Sequence, residues 1–230
     1  MPRRNRSYLP GFPYHIVQRG NNKEPCFIEA ENYQFYLSLL ESLSKRYEVS
    51  VHSYCLMTNH IHLLATPTSK EAISNIMKVV GSRYAQYINK KYKRTGTLWE
   101  GRHKSCLVQT DKYLLTCCRY IESNPVAANM IQHPEDYKWS SYKVNALGCS
   151  SWLEQHDVFM QLGKTEEQRC NNYRKLFNKK ITLIEDDLIK SSIHYSQPLA
   201  DDVFRAEIES EYGISFGQSK RGRPKLNQDE

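Results

Sequence analysis

The chain has 230 residues, of which 40% are hydrophobic, 11% aromatic and 25% charged. This composition is typical of globular proteins and excludes collagen-like and wholly disordered chains. No apolar run approaches the ~18 residues that a membrane-spanning helix needs. The basic start of the chain is not followed by an apolar stretch, so we expect no secretory signal.

Positive charge is concentrated in the first two-thirds of the chain. Residues 1–150 hold 20 Lys and Arg against 11 Asp and Glu, whereas residues 151–230 hold 12 against 14. A positive field of this kind attracts polyanions, and nucleic acid is the obvious candidate. A basic surface that serves only solubility would explain the charge equally well.

Hydrophobic periodicity predicts an alternation of strands and helices over the first half of the chain. In chain order the predicted elements are a strand over 13–20, a helix over 31–46, a hairpin of strands over 49–57 and 60–65, a helix over 69–91, a strand over 104–109 and a helix over 112–123. This order predicts an α+β fold, in which helices cover the faces of a ferredoxin-like antiparallel sheet.

The pattern changes after about residue 148. Helices are predicted over 155–162, 165–179 and 199–212, and a polar, basic tail follows. We therefore predict a main domain over 1–147, a helical region over 148–217 and a tail over 218–230. The seven cysteines form no CxxC pair, so we expect reduced thiols and a cytoplasmic protein.

The third predicted strand begins with His60-Ile61-His62. Residues two apart on a strand point to the same face, ~6.5–7 Å apart, so the two imidazoles could chelate one divalent cation. A His-x-His pair is also common on the outer face of a half-exposed sheet, where it has no special function.

A second group of candidate residues lies on the helix predicted over 112–123 and just beyond it. Tyr120 and Asn124 are four apart and share a helix face, and a tyrosine hydroxyl can attack phosphorus. Its pKa near 10 makes the phenolate cost ~4 kcal/mol at pH 7, so a metal or base must assist. The amide oxygen of Asn124 could be a third metal ligand. Alternatively, Asn124-Pro125 starts a new helix, Tyr120 is a core residue, and Tyr113 is the nucleophile.

Four segments together resemble one known family. The chain is similar to the REP-associated tyrosine transposases, bacterial relatives of the single-tyrosine insertion-sequence transposases. The resemblance spans about residues 3–145 and rests on PYHIVQRGNN (13–22), YCLMTNHIHLLATP (54–67), GTLWEGRHKS (96–105) and RYIESNPVAANM (119–130). It implies that residues 1–147 form a catalytic domain of the HUH type.

The resemblance also implies roles for individual residues. His60 and His62 would bind a divalent metal, Mg²⁺ or Mn²⁺, with help from Asn124, where better-known relatives have glutamine. Tyr120 would attack the scissile phosphate of single-stranded DNA, become linked to the 5′ end and release a 3′ hydroxyl. Glu122 is the nearest carboxylate that could substitute for Asn124, but two residues from Tyr120 it is expected to face away.

A wider set of residues is predicted to contact DNA. Tyr14 and Trp99 are candidates for base stacking, and His15 is expected to face DNA rather than to act in catalysis. The cations predicted to contact phosphates are Arg3, Arg4, Arg6, Arg19, Lys90, Lys91, Lys93, Arg94, Arg102 and Lys104.

Residues 220–225 (KRGRPK) resemble an AT-hook, in which Arg221 and Arg223 would enter a narrow minor groove. The alternative is a disordered basic tail that binds any DNA weakly.

These observations predict a metal-dependent single-strand DNA endonuclease and strand transferase that acts on REP-like hairpins. It would be a monomer or a homodimer, associated with the bacterial nucleoid. Two alternatives are a non-catalytic hairpin-binding regulator that kept the fold and a metal-dependent hydrolase that uses water as its nucleophile.

Overall fold

The centre of the fold is an antiparallel sheet of four strands. The computed structural model describes residues 8–216, and the sheet has the strand order β2-β3-β1-β4. All three strand pairs are antiparallel, with Val17 opposite His62 and Arg19 opposite His60. The strands are β1 (Tyr14–Arg19), β2 (Val49–Leu56), β3 (His60–Pro67) and β4 (Lys104–Leu107). The predicted α+β class and antiparallel sheet are confirmed.

Three long helices cover the sheet. The helices α1 (Ala30–Tyr47) and α2 (Ala72–Lys91) pack on one face, and α3 (Thr110–Ala127) packs on the other. Five shorter helices follow: α4 (Tyr142–Leu147), α5 (Asp157–Met160), α6 (Glu166–Leu176), α7 (Leu183–Tyr195) and α8 (Asp202–Tyr212). In residues 8–216, no helix is long and apolar enough to cross a membrane.

The alternation of side chains along β1 and β3 separates two buried clusters. Ile16, Ile61 and Leu63 belong to the cluster beneath α1 and α2. Leu64, on the same face of β3 as His60 and His62, belongs to the cluster beneath α3. The histidine pair therefore lies on the face that α3 covers.

The helix α3 continues through Pro125 and ends at Ala127, so the alternative in which a new helix starts at Asn124 is wrong. Proline has no N–H to donate to the carbonyl of Ile121, four residues earlier. The side-chain Nδ2 of Asn124 donates to that carbonyl at 3.3 Å and to the carbonyl of Tyr120 at 2.8 Å. Asn124 thus compensates for its proline neighbour, and the helix is kept.

Of the helices after residue 148, α5, α6 and α7 pack around α3 and the edge of the sheet, whereas Ile208 of α8 belongs to the cluster beneath α1 and α2. Leu199 exchanges backbone hydrogen bonds with Leu107 and Gln109, at 2.7 and 2.9 Å, and so covers the edge strand β4. The predicted spans 155–162, 165–179 and 199–212 each contain a shorter helix, and α7 was not predicted. Its first two residues, Leu183 and Ile184, are exposed, which obscures the apolar period. The boundary at residue 147 stays a prediction.

Candidate active site

Three histidines and one tyrosine meet where α3 crosses β1 and β3. The ring centroid of Tyr120 lies 5.8 Å from that of His62 and 5.9 Å from that of His15, edge to face in both cases. The rings of His60 and His62 are 4.9 Å apart. The structure therefore brings together Tyr120 and the histidine pair, although almost sixty residues separate them in the chain.

Hydrogen bonds determine which nitrogen of His60 is available. Nδ1 of His60 lies 2.6 Å from Oδ1 of Asn59, and Nδ2 of Asn59 donates to the carbonyl of Lys23 at 2.9 Å. Because this second bond orients the amide, Oδ1 is an acceptor and His60 carries its proton on Nδ1. Its Nε2 then has a free lone pair.

His62 is held by His15, its neighbour on β1. Nε2 of His15 and Nδ1 of His62 are 2.9 Å apart, and the two rings stack at 5.2 Å. When His62 donates from Nδ1, its Nε2 keeps a lone pair for a ligand, and a partner of this kind is typical of metal-binding histidines. His15 is fully buried, so the prediction that it faces DNA is wrong. The sequence around His15 resembles the family, which marks the segment as functional. That resemblance does not show that His15 pairs with His62 on another strand.

All three imidazoles are neutral at pH 7. Burial lowers the pKa of His15 to about 3. Burial, followed by the charge of Arg19, lowers the pKa of His60 to about 4. The pKa of His62 is well below its ordinary value, first by burial and then through His15, His60 and Arg19. Neutral imidazoles can bind a cation without first losing a proton.

In the side-chain amide of Asn124, the nitrogen is engaged in hydrogen bonds to the backbone, whereas the oxygen takes no part in them. Its Nδ2 donates back to the carbonyls of Tyr120 and Ile121, which leaves Oδ1 as the end for other partners. Within residues 8–216, no three His, Cys, Asp or Glu side chains are arranged to hold a metal. A cation bound by His60 and His62 would therefore need an amide, water or DNA oxygen, and the donor set fits a divalent metal on those terms.

Tyr120 is 8% exposed, and its hydroxyl group is protonated at neutral pH. Burial raises the pKa of Tyr120 above its ordinary value, and the next largest cause is the negative charge of Asp186 on α7. The helix α7 is attached to α3 beside Tyr120 by an ion pair of 3.1 Å between Arg119 and Glu185. Neither this helix nor the carboxylate that it brings to Tyr120 was predicted from the sequence.

Glu122 is turned away from the site, as predicted, and is fully buried. Its Oε1 accepts hydrogen bonds from Ser53 at 3.3 Å, Ser141 at 2.5 Å and Asn145 at 2.9 Å. Its Oε2 accepts one from Tyr173 at 2.8 Å. This network ties α3 to β2, α4 and α6 on the side of the helix opposite Tyr120, so Glu122 is committed to positioning α3.

The predicted base-stacking rings are both buried in the core. Tyr14 packs edge to face on Tyr8, 4.8 Å away, and its hydroxyl accepts a hydrogen bond from the backbone of Leu9. The indole Nε1 of Trp99 donates to the carbonyl of Gly81 at 2.9 Å. Neither ring offers a free face to a base, which contradicts the prediction for this pair.

The predicted phosphate contacts within residues 8–216 divide into two groups. Lys91 forms ion pairs with Glu31 and, at 3.5 Å, with Glu29, and Arg94 lies 3.5 Å from Glu24, so acidic neighbours already engage these two cations. The second group consists of exposed cations, which are Arg19, Lys90, Lys93, Arg102 and Lys104. Arg3, Arg4, Arg6, Arg221 and Arg223 lie outside the residues that the structure describes, and so does the AT-hook-like segment.

All seven cysteines lie in the described part of the chain and none is in a disulfide, as expected. Six are buried and Cys149 is exposed. Burial raises the pKa of the Cys117 and Cys118 thiols well above the ordinary value, so both are protonated at neutral pH.

Two solved structures align with this chain. One, described as "Structure of the REP associates tyrosine transposase bound to a REP hairpin", aligns with a TM-score of 0.55 at 16% identity and covers 69% of this chain and 93% of that one. A transposase from Deinococcus radiodurans, described as putative, aligns with a TM-score of 0.38 at 16% identity, over 58% of this chain and 96% of that one. No curated protein sequence matches the chain.

The family model described as "Transposase IS200 like" matches residues 9–124. This range covers half of the 230-residue chain and contains every strand of the sheet, the histidine pair, Tyr120 and Asn124. The chain therefore belongs to the IS200-like transposase family.

Proposed function

We propose that this chain is a metal-dependent endonuclease and strand transferase for single-stranded DNA, with Tyr120 as its nucleophile. The observation that carries the proposal is the contact of Tyr120 with His62 and His15, at ring distances of 5.8 and 5.9 Å. The hydroxyl group of Tyr120, which can attack phosphorus, would then act beside His62, one of the two proposed metal ligands, and beside His15, which orients His62. Tyr113, the rival nucleophile, is half-buried and lies two turns before Tyr120 on α3, ~10 Å away along the helix axis.

A divalent metal, Mg²⁺ or Mn²⁺, would be held by Nε2 of His60 and Nε2 of His62, with Oδ1 of Asn124 as the further ligand. When bound, it would supply the positive charge that polarises a phosphoryl oxygen and helps the phenol to lose its proton. His15 would keep the ring of His62 in the tautomer that has its lone pair on Nε2. Asn59 would do the same for His60.

The chemical step is a transesterification. Oη of Tyr120 forms a bond to phosphorus, the bond from phosphorus to the 3′ oxygen breaks, and the phenol proton is lost as the departing 3′ oxygen gains one. The products are a 5′-phosphotyrosine and a free 3′ hydroxyl. Because one phosphoester replaces another, the reverse attack by a second 3′ hydroxyl rejoins the strand without an external energy source.

The substrate we propose is a hairpin-forming repeat with an unpaired flank. Support comes from the exposed cations Arg19 and Lys104, near the histidine pair and on the edge strand, and from the structural neighbour, which was solved with a REP hairpin. An unpaired flank is required because Tyr120 is only 8% exposed between α3 and the sheet, where a duplex could not reach it. A monomer or a homodimer would suit this substrate, and the cytoplasm is the compartment we propose.

The decisive experiment incubates the full chain with Mn²⁺ and labelled single-stranded DNA that carries the repeat hairpins of the source genome. We expect an adduct that survives denaturation, absent in Tyr120→Phe and present in the matched control Tyr113→Phe. The opposite pattern would assign the nucleophile to Tyr113. Cleavage without any adduct would indicate water as the nucleophile, and binding without cleavage would indicate a regulator.

A further inference from the structure

A cleft lies on the face of the sheet opposite the histidine pair, between α2 and the segment 96–103. Its volume is 690 Å³, within the ~300–1,000 Å³ of small-ligand sites. Met77 and Ala85 on α2 and Leu98 on the segment form its apolar wall, and Gln18 reaches it from β1. No step of the proposed reaction uses this cleft.

Gln18 is the unusual residue of the cleft. It is 7% exposed, and its Oε1 is buried without a hydrogen-bond partner. Buried side-chain amides nearly always have partners, because an unmet donor or acceptor is costly. Rotation about the last side-chain bond of glutamine is soft, so the amide can present either end to a molecule in the cleft. An amide can pair with a nucleobase edge through one donor and one acceptor.

Gly81 keeps the space next to this amide open. A Cβ at this position of α2 would lie 3.4 Å from Nε2 and 3.6 Å from Oε1 of Gln18, in ordinary van der Waals contact. A methyl group there would fit the fold, but it would cover the amide from the side of the helix. Glycine inside a helix normally lowers stability. A glycine at this position is explained if a ligand in the cleft must contact the amide of Gln18.

The mouth of the cleft is suited to a phosphate chain. Lys78 and Arg102 are exposed among the lining residues, beside a single carboxylate, Glu71. Lys104, on the edge strand β4, continues this positive surface towards the face that carries the histidines. A DNA strand that passes around the Lys104 end of β4, away from the Leu107 end that Leu199 covers, could therefore occupy both faces of the sheet.

We propose that this cleft binds one unpaired nucleobase of the DNA substrate, which Gln18 reads through its amide. The proposal rests on the proposed function for its ligand class. The sheet separates the cleft from Tyr120, since Gln18 pairs with Ile61 between the two histidines and points to the other face. The base bound here therefore belongs to a different nucleotide from the one at the scissile phosphate.

The test measures the affinity of the full chain, in EDTA, for the hairpin oligonucleotide with each unpaired base replaced in turn by an abasic site. In the wild type we expect one position whose loss weakens binding about ten-fold. Gln18→Leu replaces the unpaired amide with an apolar side chain of similar size. In this variant, the abasic site at the same position should weaken binding less than about two-fold. Gly81→Ala should give the same result, and Gln86→Leu, at an exposed position of α2, should behave as the wild type.

An identical abasic profile in the wild type, Gln18→Leu and Gly81→Ala would overturn the proposal and show that the cleft holds only solvent. The adduct assay with Mn²⁺ separates this result from a failure of the proposed function. If an adduct forms but no abasic site has an effect that depends on Gln18, only the proposal for the cleft is refuted. If one abasic site has an effect that depends on Gln18 but no adduct forms, base binding in the cleft is supported and Tyr120 as the nucleophile is refuted.

Discussion

Replacement of Glu122 by glutamine should change how the stability of the protein depends on pH. Burial raises the pKa of this carboxyl from 4.5 to about 7, and the four hydrogen bonds it accepts offset only part of that shift. The folded protein therefore holds the proton more tightly than the unfolded chain. Stability from this group is fully present below pH 4.5 and is lost as the pH rises through 7.

The size of the loss follows from the shift in pKa. About 2.5 units, at ~1.4 kcal/mol per unit, correspond to ~3 kcal/mol of unfolding free energy between pH 4.5 and pH 8. Glu122→Gln cannot ionise, so it should lack this slope. A constant cost of ~1 kcal/mol is expected at every pH, because the amide cannot accept from both Tyr173 and the serines in the original geometry.

The assay is urea unfolding followed by circular dichroism, for the wild type and the variant at half-unit steps from pH 4.5 to 8. The difference between the two proteins isolates Glu122, because the buried histidines titrate alike in both. Glu135→Gln removes a carboxylate from an exposed position and should show no such slope. A pH-independent difference for Glu122→Gln would mean that the hydrogen bonds fully offset burial, and a slope of opposite sign would mean that they outweigh it.

Three further predictions concern the site, the core and the tail. His60→Ala should reduce Mn²⁺ binding, measured by calorimetry, with little loss of stability, because His60 is only partly buried on the strand; unchanged metal binding would remove it from the site. Ile189→Ala should lower the unfolding free energy by ~2–5 kcal/mol, because Ile189 is 1% exposed, whereas Ile184→Ala, at 80% exposed, should change it by less than ~0.5 kcal/mol; equal effects would contradict the packing of α7. Truncation at Gly217 should make the log–log salt dependence of duplex binding shallower by up to ~3–4 units and leave the cleavage rate at saturating DNA unchanged; a slower rate would show that the tail shapes the active site.

The sequence by itself was sufficient to predict the antiparallel sheet and the three long helices. It also predicted which residues a few positions apart share a face. Strand alternation places His60 and His62 on one face, and the helical repeat places Tyr120 and Asn124 on one side of α3. Both relations depend on backbone geometry over two to four residues, which the chain specifies locally. The family resemblance, carried by the segments around these residues, indicated the same four positions.

Only the tertiary structure decided which residues support that site and which lie in the core. The hydrogen bond between His15 and His62 depends on the register of two strands 47 residues apart, and hydrophobic periodicity does not specify which polar residues will face each other across strands. The burial of Tyr14 and Trp99, the position of α7 beside Tyr120 and the cleft around Gln18 depend likewise on how distant elements pack. Packing between distant elements is determined by the whole core at once, so no local pattern in the sequence contains it.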